Sequence, residues 1–178
     1  MPEKPCGAIA ELEPGPTLLR ECRWPFTFQR TLDTDLIRSV ITHPRIWPAI
    51  SDDFSGKSED FQPSTEPSTW YIAVREGETL LGLFILTRQT GVCAELHTCL
   101  LPIAWGRSTE IGRQLFDWVW ENSVCERIVT NVPEFNRLAL RASKRVGMTQ
   151  FGFNERSFKK SGKLWGQILL GITRPQTR

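Results

Sequence analysis

Apolar residues along this chain recur at two spacings, and the switches between them mark the elements. Trp24 to Arg30 alternates apolar with polar and reads as a first strand. Thr31 to His43 carries Leu36, Ile37, Val40 and Ile41 at helical spacing, with Thr31, Asp33 and Thr34 as candidate caps. Pro44 ends that helix, because the residue before a proline avoids helical geometry. Arg45 to Ile50 reads as a short helix or turn, and the polar stretch Ser51 to Ser68 as a long loop. Trp70 to Val74 and Leu80 to Thr87 are strands around the turn Arg75-Glu76-Gly77-Glu78, and Gly82 marks a bulge or a close backbone approach. A third strand of this meander starts near Cys93.

The strongest helix is Ser108 to Asn122, with Ile111, Leu115, Trp118 and Val119 on one face. The β-branched run Arg127 to Val132 follows it, so a parallel pair with a right-handed crossover is expected. Glu134 to Val146 reads as another helix, with Leu138, Ala139, Ala142 and Val146 inward and Gly147 as its C-terminal cap. Two strands, Gln150 to Phe158 and Leu164 to Ile172, close the pattern across the basic turn Lys159-Lys160-Ser161-Gly162. The order β, α, short α, β, β, β, α, β, α, β, β predicts an α+β layer arrangement with a mixed sheet. It divides the chain into an arm (1–23, with a short ordered piece at Ala8–Glu13), one domain (24–173) and a tail (174–178).

Composition narrows the function classes. The chain has 178 residues, 40% hydrophobic and 24% charged, with a net charge of +2. That balance gives no reason to expect nucleic acid or a membrane surface as partner. No apolar run approaches the roughly 20 residues that span a bilayer. The Pro- and Glu-bearing N-terminus does not read as a signal peptide. Five cysteines include no C-x-x-C pair, so free thiols and a reducing, cytoplasmic setting are expected. With two histidines and no clustered ligands, no metal site is expected.

The chemistry concentrates in Ala94 to Gly112, AELHTCLLPIAWGRSTEIG. This is a strand, a proline-led turn and a helix start, an arrangement whose first-turn amides and helix dipole favour an anion. Glu95 and His97 sit on one face of the strand and are candidate proton-transfer groups. Each also has a plain reading, a solvated or ion-paired Glu and a hydrogen-bonded His. Cys99 continues that face as a core thiol or, less simply, an acyl-carrying nucleophile.

Order and motifs together resemble the GCN5-related N-acetyltransferase (GNAT) family. AELHTCLLP is similar to the family's fourth strand. Trp105-Gly106-Arg107-Ser108-Thr109-Glu110 is similar to its pyrophosphate loop, and Val132-Pro133-Glu134-Phe135-Asn136 with Gly147-Met148 to its Asn-bearing segment. The closing strands resemble the branch that acetylates ribosomal-protein N-termini, and phage-encoded acetyltransferases are similar too. The resemblance implies a mixed, mostly antiparallel sheet of about six to seven strands with helices on both faces. It implies acetyl-CoA as co-substrate, an amine-bearing small molecule or protein N-terminus as acceptor, and it allows a homodimer. It places main-chain donors at Leu100 and Leu101, the diphosphate at Trp105 to Glu110, pantetheine at Asn136, and the general base at Glu95; His97, two residues on along the same face, could serve as base or relay beside it.

Two departures stand out. Glu110 puts a carboxylate where the diphosphate is expected, whether the loop motif starts at Trp105 or slides to end at Gly112. Ser143 stands where many relatives carry a Tyr acid, and Tyr71 is the only tyrosine. Asn136 is equally suited to capping its helix, and Trp105 to covering the core. The alternative to an enzyme is therefore a catalytically inactive binding or structural protein on the same fold, of phage-associated type. A fourth and fifth strand splayed into an open V would favour the enzyme.

Overall fold

The structure is a computed structural model and describes residues 25–176. The expected arm and its Ala8–Glu13 piece lie outside the described residues. The elements are β1 (Thr27–Thr31), α1 (Thr34–Ile41), α2 (Trp47–Ile50), β2 (Thr69–Glu76), β3 (Thr79–Arg88), β4 (Cys93–Leu100), α3 (Ser108–Asn122), β5 (Arg127–Pro133), α4 (Arg137–Arg145), β6 (Thr149–Lys160) and β7 (Lys163–Thr173). They form one sheet in the order β1-β2-β3-β4-β5-β7-β6. Among the described strands only β4 and β5 run parallel, joined through α3 as the strand–helix–strand pattern predicts.

Alternation along the strands sends side chains to two cores. Ile72, Phe84, Leu96, Leu100 and Ile128 pack with Ile111, Leu115 and Val119 of α3. Tyr71, Ala73, Leu83 and Cys99 point the other way and pack with Ile37, Val40 and Ile41 of α1. Of the candidate caps, Asp33 wins: its side chain accepts from the Leu36 N–H at 2.9 Å.

One inward face was misread. Leu138 is exposed and Leu140 is buried in α4. Two leucines two residues apart lie on opposite sides of a helix, so only one can face the core. The inner stripe runs through Ala139, Leu140 and Val146.

Gly82 combines both expected roles. The β2–β3 register slips between Val74 and Arg75, which leaves Leu81 as the extra residue of a bulge. Gly82 has φ +144°, and a Cβ there would lie 2.4 Å from the Cys99 carbonyl oxygen. β3 thus presses its backbone directly onto β4 where β4 carries the candidate chemistry.

The turn at 159–162 is tighter and better anchored than its lysines suggest. Ser161 and Gly162 take positive φ, as a two-residue hairpin needs. Asp53 accepts from both their N–H groups at 2.7 and 2.8 Å, and Lys160 Nζ donates to the Ser51 carbonyl at 2.6 Å. The long loop after α2 is thereby fastened to the β6–β7 hairpin. At the other end Arg174 donates to Glu126 Oε1 at 3.2 Å, so the first residue of the expected tail is tied down.

Candidate active site

β4 is shared between two partners. The Leu101 N–H donates to Leu81, and the Gln89 N–H to Cys93. In an antiparallel ladder such bonds recur at every second residue, so odd-numbered residues turn their main chain toward β3. Thr98 and Leu100 turn theirs toward β5. But β5 pairs with β4 only from Cys93↔Arg127 to Glu95↔Val129. From Thr130 onward β5 keeps only its pairing with β7, which runs along its whole length. The two parallel strands therefore part into a V whose apex is at Glu95. The Leu100 main chain turns toward that V. Leu101 does not, because its N–H is committed to β3.

Glu95 is gripped at the apex. Its Oε1 accepts from Asn131 Nδ2 at 3.0 Å and its Oε2 from Gln89 Nε2 at 3.0 Å. His97 Nε2 lies 3.5 Å from the same Oε1. The His97 side chain is 47% exposed, against 17% for Glu95. The two predicted proton-transfer groups are thus adjacent but unequal: His97 faces the open space and Glu95 stands behind it. Asn131 and Gln89 were missed in the sequence. The signal for Asn131 was an amide on the face that Val129 shares, in the β-branched run of β5.

His97 and Cys99 form one end of a cleft of about 380 Å³ on the α1 side of the sheet. Ile41, Trp47, Ile50 and Phe61 wall it, and the loop after α2 covers it. That loop is held by Arg38 Nη1 on the Phe61 carbonyl (3.0 Å) and by the Ser64 N–H on Tyr71 Oη (2.8 Å). Burial pushes the Cys99 thiol up to about 12. Cys99 is buried in the α1-side core, and both that burial and the raised pKa favour a core thiol over an acyl-carrying nucleophile.

The expected phosphate cradle takes a form the sequence did not announce. Pro102–Arg107 winds into a 3-10 turn that runs straight into α3. Two of its amides bond internally, Ala104 to Leu101 and Ser108 to Trp105. No side chain caps the start of α3, whose dipole favours an anion at this end, and Glu110 is the acidic residue of its first turn. Arg107 lies there between two carboxylates, 2.6 Å from Glu76 and 3.3 Å from Glu110, with its guanidinium over the Phe26 ring. These pairs, Glu76 first, raise its pKa further, so Arg107 stays charged. Gly106 and Thr109 border the same surface beside Arg113 and Gln114. Gly112 is not the end of a loop motif. It sits inside α3, where a Cβ would come within 2.8 Å of Val146 Cγ1, so it serves close packing of α3 on α4.

Trp105 and Asn136 have structural duties. Trp105 Nε1 donates to the Leu100 carbonyl at 2.8 Å, closing the end of β4, and Arg45 stacks on its ring. Asn136 Oδ1 accepts from the Ala139 N–H at 3.1 Å and caps α4. Asn136→Ala is expected to lower stability by about 1 kcal/mol. Urea unfolding measures that loss. An unchanged KM for acetyl-CoA would show that capping is its whole role.

No family model matches the chain, and neither does any curated protein. Solved structures do. Spermidine N-acetyltransferase from Vibrio cholerae, in complex with CoA and spermine, superposes with a TM-score of 0.69 at 14% identity, over 84% of this chain and 95% of that one. An acetyltransferase of the GNAT family from Bacillus anthracis gives 0.51 at 14%, over 60% and 66%. The chain has the GNAT fold. Mycobacterium smegmatis RimJ in complex with CoA-disulfide also shares it, with a TM-score of 0.53 at 15% identity, over 60% and 53%. Among the described residues no helix is long and apolar enough to cross a membrane, and no cluster of His, Cys, Asp and Glu is placed to hold a metal.

Proposed function

We propose that this chain is an N-acetyltransferase that moves an acetyl group from acetyl-CoA to the primary amine of a small molecule or protein N-terminus. The observation that carries the reading is the V opened where β5 leaves β4 after Glu95. Pantetheine laid along β4 would find the Thr98 and Leu100 main chain, and its thioester would reach the apex beside His97. Neighbouring solved structures of the same fold hold CoA or act on an amine by name.

The amine nitrogen attacks the thioester carbonyl. His97 accepts the proton that the amine loses, and Glu95, fixed by Asn131 and Gln89, orients the imidazole and stabilises its charged form. The Thr98 N–H, next to His97 on β4 and turned toward the V, is the main-chain donor that would hold the carbonyl oxygen as it becomes an oxyanion. The C–S bond then breaks and CoA leaves, taking up a proton to become the thiol. Release of that thiol with a panel of primary amines tests the reading, and no release from any amine would defeat it.

The loop around Glu110 favours a second reading, an inactive protein on the same fold. The two separate on one variant. Removing the Glu110 carboxylate takes a like charge from beside the diphosphate and frees Arg107 to meet it. Under the enzyme reading Glu110→Ala tightens acetyl-CoA about threefold to tenfold. Calorimetric titration of both forms would support the inactive protein if neither took up the nucleotide.

A further inference from the structure

We infer that the acceptor is a monoamine with an apolar, preferably aromatic body, and that polyamines are excluded. The inference rests on the acyl-transfer reading above and concerns the cleft that ends at His97. Its walls are Ile41, Ile50, Ile85, Trp47 and Phe61, and its polar lining is hydroxyl and amide. No carboxylate lines it. Trp47 and Phe61 meet edge to face at 5.7 Å, so the wall is a formed aromatic corner.

Away from the His97 end, two cations stand behind the walls, the wrong sign for a polycation. Lys160 Nζ sits on Ser51, a lining residue, at 2.6 Å from its carbonyl and 3.2 Å from its Oγ. The Arg38 guanidinium donates to the carbonyls of Phe61 and Glu59. None of the covering loop's carboxylates lines the cleft, and two are engaged elsewhere: Asp53 with the β6–β7 hairpin tip, Asp52 with Ser55 and the Phe54 N–H. The one carboxylate behind the lining, Glu95, stands at the His97 end where the reacting nitrogen sits, so a second ammonium deeper in the cleft would lose water, lie near two cations and find no carboxylate on the walls. A hydrocarbon ring would instead gain by burial against the aromatic corner. One nitrogen is then left to reach His97.

Phenylethylamine and spermidine are the probes. With acetyl-CoA saturating, kcat/KM for phenylethylamine is expected to exceed that for spermidine at least about tenfold. Gln62→Glu, which places one carboxylate at the rim, should narrow that ratio about tenfold. Preference of the wild type for spermidine or for a peptide N-terminus overturns the inference and leaves acyl transfer standing. If no amine is acetylated, binding alone decides. Saturable change in tryptophan fluorescence with phenylethylamine, absent for spermidine and lost in Trp47→Phe, supports the cleft while acyl transfer fails. No saturable change with phenylethylamine overturns it.

Discussion

Replacing His97 with alanine is expected to lower kcat by about a hundredfold to a thousandfold while leaving acetyl-CoA affinity unchanged. The reason lies in the arrangement at the apex of the V. An amine must shed a proton as it attacks, and His97 is the titratable side chain of this pair that faces the cleft. Glu95 is 3.5 Å behind it and has both oxygens occupied by the amides of Asn131 and Gln89. Glu95→Gln keeps the shape and removes the charge that supports the imidazolium. Its loss in kcat is expected to be smaller, about tenfold to a hundredfold, and it should combine with His97→Ala less than additively. The reverse ranking, with Glu95→Gln the more damaging, would make Glu95 the base and His97 a bystander. Steady-state kinetics with both substrates varied measures the four values needed.

The largest loss of stability is expected at Gly82. Its φ of +144° and the 2.4 Å approach to the Cys99 carbonyl leave a methyl group nowhere to go, because the obstacle is backbone on a central strand. Gly82→Ala should cost about 3 kcal/mol or more. Gly166 offers the contrast. A Cβ there would come even closer, 2.1 Å, to a neighbour, but the neighbour is the ring of Phe153, which is half exposed on β6. That ring can swing aside, so Gly166→Ala should cost about 1 kcal/mol or less. Chemical denaturation of the two variants settles the order. Equal losses would mean that β3 and β4 can part, which the central position of the pair argues against.

Much of this architecture was legible because it follows from periodicity. Ser108–Asn122 emerges with the bounds read from the sequence, and the strands shift by a few residues at their ends. Such signals are local: a helical stripe or a two-residue alternation needs only its own segment. The inner face of α4 was misjudged because Leu138 and Leu140 are equally apolar, and only the position of the sheet decides between them. The site was half legible. Glu95 and His97 could be paired from their spacing on one strand. Their division of labour could not, since it depends on Asn131 from β5 and Gln89 from the turn before β4. The 3-10 turn was hidden for a similar reason: Trp105 bonds back to Leu100, and Arg107 reaches Glu76 on a distant hairpin. Leu101 was misassigned because the register with β3, fixed by the Gly82 bulge, sets which amides remain for the V.

The central claim is that β4, beyond its last pair with β5, holds acetyl-CoA along Thr98 and Leu100. Backbone amide resonances report it directly. Titration with acetyl-CoA is expected to shift the Thr98 and Leu100 amides most strongly within β4, with smaller shifts at Glu95 and none across the β6–β7 hairpin tip. A spectrum unmoved at Thr98 and Leu100 under saturating nucleotide would contradict the account.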